Sequence, residues 1–161
     1  MSRFARRSLA TTLLAALAFS PIAVGSVASA ADTPTRKAAY TIAVKESKLG
    51  PMITDGAGMS LYMFTPDRRN VSNCEGGCLA AWPPVMLKAG EGLDDVAVEG
   101  NLRRSLLGVA MRFDGSRQVT YNGFPLYYWA RDRVAGDVTG QWVGGVWFVL
   151  NADGVPNTAR I

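Results

Sequence analysis

The sequence contains no histidine among its 161 residues. Histidine is the general base of Ser-His-Asp and Cys-His nucleophile pairs, and it is also the commonest side-chain metal ligand. Its absence excludes those catalytic pairs, and every histidine-based metal site, from this chain acting alone.

Long apolar runs are also lacking beyond residue 30, where no stretch reaches the length of a transmembrane helix. Before that point the chain has a basic start, an apolar stretch at 8–19 and small residues at 28–30. This layout is typical of a secretory signal peptide. We predict that residues 1–30 are removed on export, that 31–38 form a flexible leader, and that 39–161 form one domain.

A strong net charge is missing from the expected mature protein. Removal of residues 1–30 takes away three of the 17 Lys and Arg residues and none of the 13 Asp and Glu residues, so the net charge falls from +4 to +1. No basic run with interleaved aromatic residues follows, which argues against nucleic-acid binding. We expect a periplasmic or extracellular protein whose partner is an unknown small ligand or an envelope component.

What the sequence does contain is a motif that occurs twice. "LYMFTPD" at 61–67 and "LYYWARD" at 126–132 both read Leu-Tyr-x-aromatic-x-x-Asp, and they lie 65 residues apart. The same offset places Trp82 on Trp147. A match along one offset indicates a duplicated unit, and two units are too few for a solenoid. We expect two repeats that pack on each other about a pseudo-twofold axis.

Both units are rich in short runs of β-branched and aromatic residues. In the second unit these runs end at Asp114-Gly115, Asn122-Gly123 and Asp153-Gly154, pairs that readily form tight hairpin turns. The pattern predicts an all-β fold of two pseudo-symmetric β-meander repeats, at about 39–90 and 104–158, packed as one compact sandwich or barrel. Residues 91–107 break the pattern, and we expect a linker with a short helical turn there.

The motif places its aromatic residues and its aspartate at fixed positions of a strand. Side chains two residues apart share a face, so each motif contributes two rings to one side of the sheet. Each aspartate falls where its strand should end, and its carboxylate is expected to accept backbone N–H groups or a tyrosine hydroxyl. The residues to which we assign a structural or ligand-facing role are Tyr62, Phe64, Asp67, Trp82, Tyr127, Trp129, Asp132 and Trp147.

The two aspartates also allow a catalytic interpretation. If Asp67 and Asp132 faced each other, they could act as the paired carboxylates of a hydrolase, at separations of about 5–5.5 Å or 6.5–9.5 Å for retaining or inverting glycosidases. This hypothesis fails if either carboxylate is used by backbone N–H groups. The leading expectation is non-enzymatic and assigns no catalytic residue.

Cysteine is scarce, with only Cys74 and Cys78 in the chain. In an exported protein we expect them to form a disulfide, since a tight turn can bring residues four apart within bridging distance. The alternative is a metal or redox module in which both thiolates, with Met63 or Met86, bind copper, because Cu(I) favours soft sulfur ligands. The leading expectation includes no cofactor.

The motifs "LYMFTPD", "CEGGCLAAWPPV", "QVTYNGFPLYYWARD" and "GDVTGQWVGGVWFVL" follow one another in this order. With them the chain resembles a bacterial family of predicted lipoproteins that carries a Tyr-x-(Phe/Trp/Tyr)-x-x-Asp motif and is also described as a secreted repeat of unknown function. The resemblance implies an exported two-repeat domain and brings no established activity. We therefore expect an exported, non-enzymatic envelope or binding protein of unknown ligand.

The chain departs from that family at two places. Family members often begin with a lipid-acceptor cysteine at the cleavage site, whereas this chain has "ASAADT" there. We therefore expect a soluble protein rather than a lipid-anchored one. Phe124 stands where the family commonly has histidine, so a metal or redox role that depends on that histidine is not expected here.

Overall fold

The computed structural model describes residues 38–160, which form nine short strands, one short helix and three 3-10 turns. The all-β class is confirmed. The predicted signal peptide (1–30) and the first seven residues of the predicted leader lie outside the described part. Within that part, no helix is long and apolar enough to cross a membrane. The strands are β1 (Tyr40–Lys45), β2 (Met52–Asp55), β3 (Tyr62–Phe64), β4 (Met86–Leu87), β5 (Val96–Val98), β6 (Leu107–Met111), β7 (Arg117–Tyr121), β8 (Phe124–Pro125) and β9 (Trp147–Val149); helix α1 is Gly77–Ala81, and the 3-10 turns are Leu93–Asp95, Arg104–Leu106 and Val143–Gly145.

The strands of the described residues form three sheets. The first has the order β2-β1-β5, the second pairs β3 with β9, and the third has the order β4-β7-β6, with β8 also paired to β7. These sheets do not close into a barrel. The domain is thus a compact assembly of small sheets, in which the β3–β9 sheet joins the first repeat to the second.

The two repeats pair with each other at the centre of the fold. Tyr62 in β3 lies opposite Val149 in β9, and the equivalent residues 65 positions away, Tyr127 and Pro84, form a bridge in the same way. Tyr62 and Tyr127 also face each other and exchange both backbone hydrogen bonds, at 2.8 and 3.0 Å. The pairing is therefore symmetric, and the segment that carries each motif pairs with a segment of the other repeat.

The prediction of a full strand at the second motif is wrong. Tyr127 forms only isolated bridges, because its partner segment contains Pro83 and Pro84, where the first motif pairs with Phe148 and Val149. Proline has no backbone N–H and cannot donate to a ladder. The repeats are therefore related in position but not in the extent of their strands.

The linker at 91–107 contributes more than was predicted. It contains the expected helical turn, in the form of two 3-10 turns, and also strand β5, which pairs in parallel with β1. Asn122 and Gly123 have φ values of 51° and 84° and join β7 to β8. Positive φ at both central residues is what a two-residue hairpin turn needs, as the sequence predicted.

Alternation along the strands divides the core into two clusters. Leu61 and Met63 face one side of β3, and Tyr62 and Phe64 face the other. The first cluster, which is mostly aliphatic, consists of Ile42, Ile53, Leu61, Met63, Val85, Leu87, Val96, Val119, Tyr121, Leu126, Phe148 and Leu150. The aromatic cluster consists of Met52, Tyr62, Cys74, Trp82, Tyr127, Val138, Trp147 and Val149, with Phe64, Cys78 and Trp129 packed against it. Six of the eight residues singled out besides the cysteines belong to the aromatic cluster or pack against it, and the other two, Asp67 and Asp132, bond to its tyrosines.

Candidate functional site

The motif tyrosines and aspartates are joined across the two repeats. The hydroxyl of Tyr62 donates to Oδ2 of Asp132 at 2.7 Å, and the hydroxyl of Tyr127 donates to Oδ2 of Asp67 at 2.7 Å. Each tyrosine thus uses the aspartate of the other repeat rather than its own. Both phenol rings are fully buried, so each hydroxyl needs a partner inside the protein.

The second oxygen of each carboxylate fixes the loop that follows its motif. Oδ1 of Asp67 accepts the backbone N–H of Asn73 at 2.6 Å. Oδ1 of Asp132 accepts both the backbone N–H of Thr139, at 3.0 Å, and its hydroxyl, at 2.6 Å. Both aspartates are therefore used by backbone N–H groups, which is the condition under which the hydrolase hypothesis fails.

Burial determines the protonation of this centre. Desolvation raises the pKa of Tyr62 and of Tyr127 well above the ordinary value of a phenol, so both hydroxyls stay protonated and act as donors. Desolvation also raises the pKa of Asp67, against the hydrogen bonds from Asn73 and Tyr127 that lower it.

Four aromatic rings stack through the middle of the domain. Phe64 lies 4.2 Å from Trp147, Trp147 lies 3.8 Å from Trp82 with an interplanar angle of 6°, and Trp82 lies 4.2 Å from Trp129, all measured between ring centroids. We call these four rings the aromatic column. Its central pair, Trp82 and Trp147, is buried, and its two end rings are half-buried.

Each motif tyrosine stands edge-on to the central part of the column. Tyr62 lies 5.3 Å from Trp82, and Tyr127 lies 5.1 Å from Trp147, at interplanar angles of 74° and 88°. Edge-to-face contacts at this distance are favourable because the positive ring edge meets the negative ring face. Gly140 closes the space beside Trp82: a Cβ atom there would approach Trp82 to 2.8 Å and Tyr62 to 2.9 Å.

Cys74 and Cys78 form the predicted disulfide, with their Cα atoms 5.4 Å apart. It pins the loop in front of Trp82, and Cys74 is fully buried in the aromatic cluster. The copper hypothesis requires two thiolates, whereas here both sulfurs are bonded to each other. Met63 belongs to the other cluster, and Met86 lies on β4 opposite Gln118. Among residues 38–160, no group of three or more Cys, Asp or Glu residues is placed to hold a metal ion.

The sequence analysis missed a buried arginine beside the disulfide loop. Arg112 donates to the carbonyl oxygen of Cys74 at 2.6 Å, to Oε1 of Gln118 at 2.7 Å, and to Oγ of Ser72 at 2.8 Å. It also forms an ion pair with Glu75 at 2.8 Å. Ser72 in turn shares a 2.7 Å hydrogen bond with the hydroxyl of Tyr127. Arg112 thereby connects the disulfide loop to one of the two tyrosine–aspartate pairs.

An open surface groove runs along the loop after the second motif. It has two adjoining parts of about 320 and 260 Å³, which share Val138 and Thr139. Lys48 borders one part, and Trp142 and Arg160 border the other, with the guanidinium carbon of Arg160 4.0 Å from the Trp142 ring centroid. We call this feature the loop groove.

The fold and its centre define a two-repeat all-β domain held together by crossed tyrosine–aspartate pairs. A model of the family described as a secreted repeat of unknown function matches residues 43–86 and 108–151, and the chain belongs to that family. The two matched segments are offset by 65 residues, which confirms the duplication read from the motifs. Comparison with curated proteins and with solved structures gives no match.

Proposed function

We propose that this chain is an exported, soluble, non-enzymatic envelope or binding protein, in which the repeated motif builds the scaffold and the loop groove takes the ligand. The observation that carries the proposal is that the polar groups of the motif are already hydrogen-bonded. Both tyrosines and both aspartates bond to each other and to the adjacent loops. Among the described residues, no buried side-chain nitrogen or oxygen lacks a hydrogen-bond partner.

The loop groove differs from the motif centre in what it offers. It presents an aromatic ring at Trp142, two cations, Lys48 and Arg160, and one carboxylate, Asp137, on an open surface. Lys48 and Arg160 suit an acidic ligand, including an anionic saccharide, since the cations attract anionic groups. The guanidinium of Arg160 lies over the Trp142 ring, 4.0 Å from its centroid, so the ring holds this cation in place. Thr139 in the groove is bonded to Asp132, so the scaffold holds the binding surface in place.

Export and oxidation state are tested by the intact mass of the protein recovered from its natural location, measured native and denatured. A mass for residues 31–161 less two hydrogens, without a native adduct, supports the proposal. A mass that includes residues 1–30 contradicts export. Free thiols with retained copper would favour the metal alternative and make Cys74 and Cys78 its ligands.

Binding is tested by cosedimentation with purified insoluble cell-wall polymer. The double variant Lys48→Ala/Arg160→Ala removes both cations of the loop groove, and Lys88→Ala/Arg103→Ala removes two exposed cations that do not line it. We expect the wild type and the second variant to pellet with the polymer and the first variant to stay in solution. Equal loss in both variants would indicate unspecific charge attraction, and no pelleting of the wild type would exclude this partner.

A further inference from the structure

The aromatic column leads from the surface to a hydrogen-bonded phenol. Trp129 at one end is half-buried and lies 4.2 Å from buried Trp82, which in turn lies 5.3 Å from Tyr62. Tyr62 donates to Asp132 at 2.7 Å. Tryptophan and tyrosine are the aromatic side chains that give up one electron most easily, and ring contacts of this length allow an electron to pass between them.

We propose that the aromatic column is a one-electron relay, which carries an oxidising equivalent from Trp129 at the surface to Tyr62, with Asp132 as the proton acceptor. This activity goes beyond the binding role proposed above. The oxidant is a one-electron acceptor of the oxygen-centred radical class, which meets an exported protein from the outside.

The oxidant takes one electron from Trp129 and leaves a tryptophan radical cation, which is refilled by an electron from Trp82. Trp82 then takes one electron from Tyr62, while the O–H bond of the phenol breaks and its proton forms an O–H bond with Oδ2 of Asp132. The products are the reduced oxidant, a neutral tyrosyl radical and a protonated carboxyl group. A one-electron donor such as ascorbate or a thiol restores the phenol, and the proton returns from Asp132.

The hydrogen bond to the carboxylate is what makes the tyrosine a suitable terminus. Burial raises the pKa of Tyr62, so the phenol is protonated, and its oxidation must release a proton into a region with little water. A carboxylate oxygen at 2.7 Å receives that proton without movement of either side chain. Tyr127 and Asp67 provide a second terminus of the same kind, which is reached through the 3.8 Å contact of Trp82 with Trp147.

The two ends of the column are chemically different. Phe64 occupies the position that is equivalent to Trp129, and a phenylalanine ring is far harder to oxidise. The relay therefore starts at the Trp129 end. The same difference supplies two variants: Trp129→Phe makes both ends alike and closes the relay, and Phe64→Trp opens a second starting point.

The test is photochemical oxidation with a ruthenium polypyridyl complex and a cobalt(III) ammine as the irreversible electron acceptor. Tryptophan and tyrosyl radicals are followed by transient absorption and by electron paramagnetic resonance of frozen samples. In the wild type we expect a tryptophan radical that decays into a tyrosyl radical. We expect loss of the tyrosyl signal in Trp129→Phe and in Tyr62→Phe/Tyr127→Phe, and a gain in Phe64→Trp.

Matched controls come from the same chain, which has four tryptophans and five tyrosines. Trp142 packs on Phe148 outside the column, and Tyr128 donates to Asp55 at 3.0 Å without belonging to the column, so Trp142→Phe and Tyr128→Phe should keep the signal. Near-ultraviolet circular dichroism checks the fold of each variant. The relay is overturned if the signal survives in Tyr62→Phe/Tyr127→Phe, if Trp142→Phe removes it as fully as Trp129→Phe does, or if a folded Phe64→Trp variant gives no gain.

Discussion

The hydroxyl of Tyr62 and the carboxylate of Asp132 are hydrogen-bonded at 2.7 Å although 70 residues separate them in the chain. The reciprocal bond joins Tyr127 to Asp67 across 60 residues. Each motif therefore lacks, by itself, the partner for its own tyrosine. The two copies of the seven-residue pattern are therefore complementary, since each supplies the donor of one bond and the acceptor of the other.

Replacement of one motif tyrosine should destabilise the domain. Tyr62→Phe removes the donor to Asp132 and leaves a carboxylate oxygen without its buried partner, so we expect a loss of about 1–3 kcal/mol in the free energy of unfolding. Tyr127→Phe should have a similar effect on Asp67. The measurement is chemical denaturation of each variant followed by tryptophan fluorescence.

A double-mutant cycle separates the crossed pairing from general damage. Tyr62→Phe and Asp132→Asn should couple by about 0.5–3 kcal/mol, as residues in contact do, whereas Tyr62→Phe and Asp67→Asn should be close to additive. Asp94→Asn, at a fully exposed side chain, should change stability by less than about 0.5 kcal/mol. Stronger coupling within a motif than between the motifs would contradict the crossed arrangement.

A methyl group at Gly140 should disturb the centre through overpacking. Gly140→Ala places Cβ 2.8 Å from Trp82 and 3.0 Å from Trp129, so we expect a loss of about 1–3 kcal/mol and a change in the near-ultraviolet circular dichroism of the tryptophans. Gly77→Ala is the control, because its added Cβ meets no other part of the fold within 4 Å and the residue begins helix α1. It should leave stability unchanged or slightly higher, and equal losses in the two variants would rule out the steric explanation.

Removal of the disulfide should have a moderate effect. The bridge joins residues four apart, and for so small a loop the chain-entropy model gives about 2 kcal/mol. We expect Cys74→Ala/Cys78→Ala to lower the free energy of unfolding by this amount while the domain stays folded. The check is urea denaturation of this variant and of the reduced wild type, which should agree. Complete unfolding would show that the bridge does more than close the loop.

Arg112 should matter more than an exposed arginine. Arg112→Met leaves Gln118, Ser72 and the carbonyl of Cys74 without their donor, and a buried polar group that loses its partner typically costs about 1–3 kcal/mol. The variant should also react faster with a thiol reductant, because the disulfide loop loses its anchor. Arg103→Met, at an exposed ion pair, should lose no more than about 1 kcal/mol. Equal reduction rates in the two variants would exclude the anchoring role.

The contributions of Asp67 and Asp137 to the free energy of unfolding should change with pH in opposite directions. Burial raises the pKa of Asp67, so above about pH 4 the folded state holds a proton that the unfolded state has released, and stability falls as pH rises through this window. Hydrogen bonds from the N–H groups of Arg133 and Val134 lower the pKa of Asp137, so its contribution is present above about pH 4 and is lost as pH falls.

The comparison uses Asp67→Asn and Asp137→Asn between pH 3 and pH 7. The stability of the wild type relative to Asp67→Asn should decrease as the pH rises, and its stability relative to Asp137→Asn should increase. Slopes of the same sign for both variants would contradict the assigned environments. The measurement is the denaturation midpoint of each protein at matched ionic strength.

Much of the architecture was accessible from the sequence because it depends on local patterns. The 65-residue offset predicts the duplication, and the alternation of side chains around Tyr62 predicts the two faces of its strand. The pair Asn122-Gly123 predicts a hairpin turn. The spacing of Cys74 and Cys78 gave the disulfide. Each of these features involves residues close in the chain, or a match between equivalent positions.

The crossed pairing could not be read in the same way. The two motifs are nearly equivalent, so the sequence does not show whether Tyr62 bonds to Asp67 or to Asp132. The alternation of polar and apolar residues gives the wrong orientation at Arg112. Its neighbours Met111 and Phe113 are apolar and yet exposed, at 62% and 91%, while Arg112 itself is buried. The burial of Arg112 depends on acceptors about 40 residues away at Ser72 and Cys74, and no local signal marks them.

The crossed bonds also set an order of events for a chain that emerges from its N-terminus. A chain stopped before residue 127 contains neither Tyr127 nor Asp132, so neither bond can form, and Tyr62 has a hydroxyl with no acceptor of its own. The first half therefore cannot complete the centre of the fold until the second half is present. Contacts so distant in sequence slow folding, so the chain stays open for longer during synthesis.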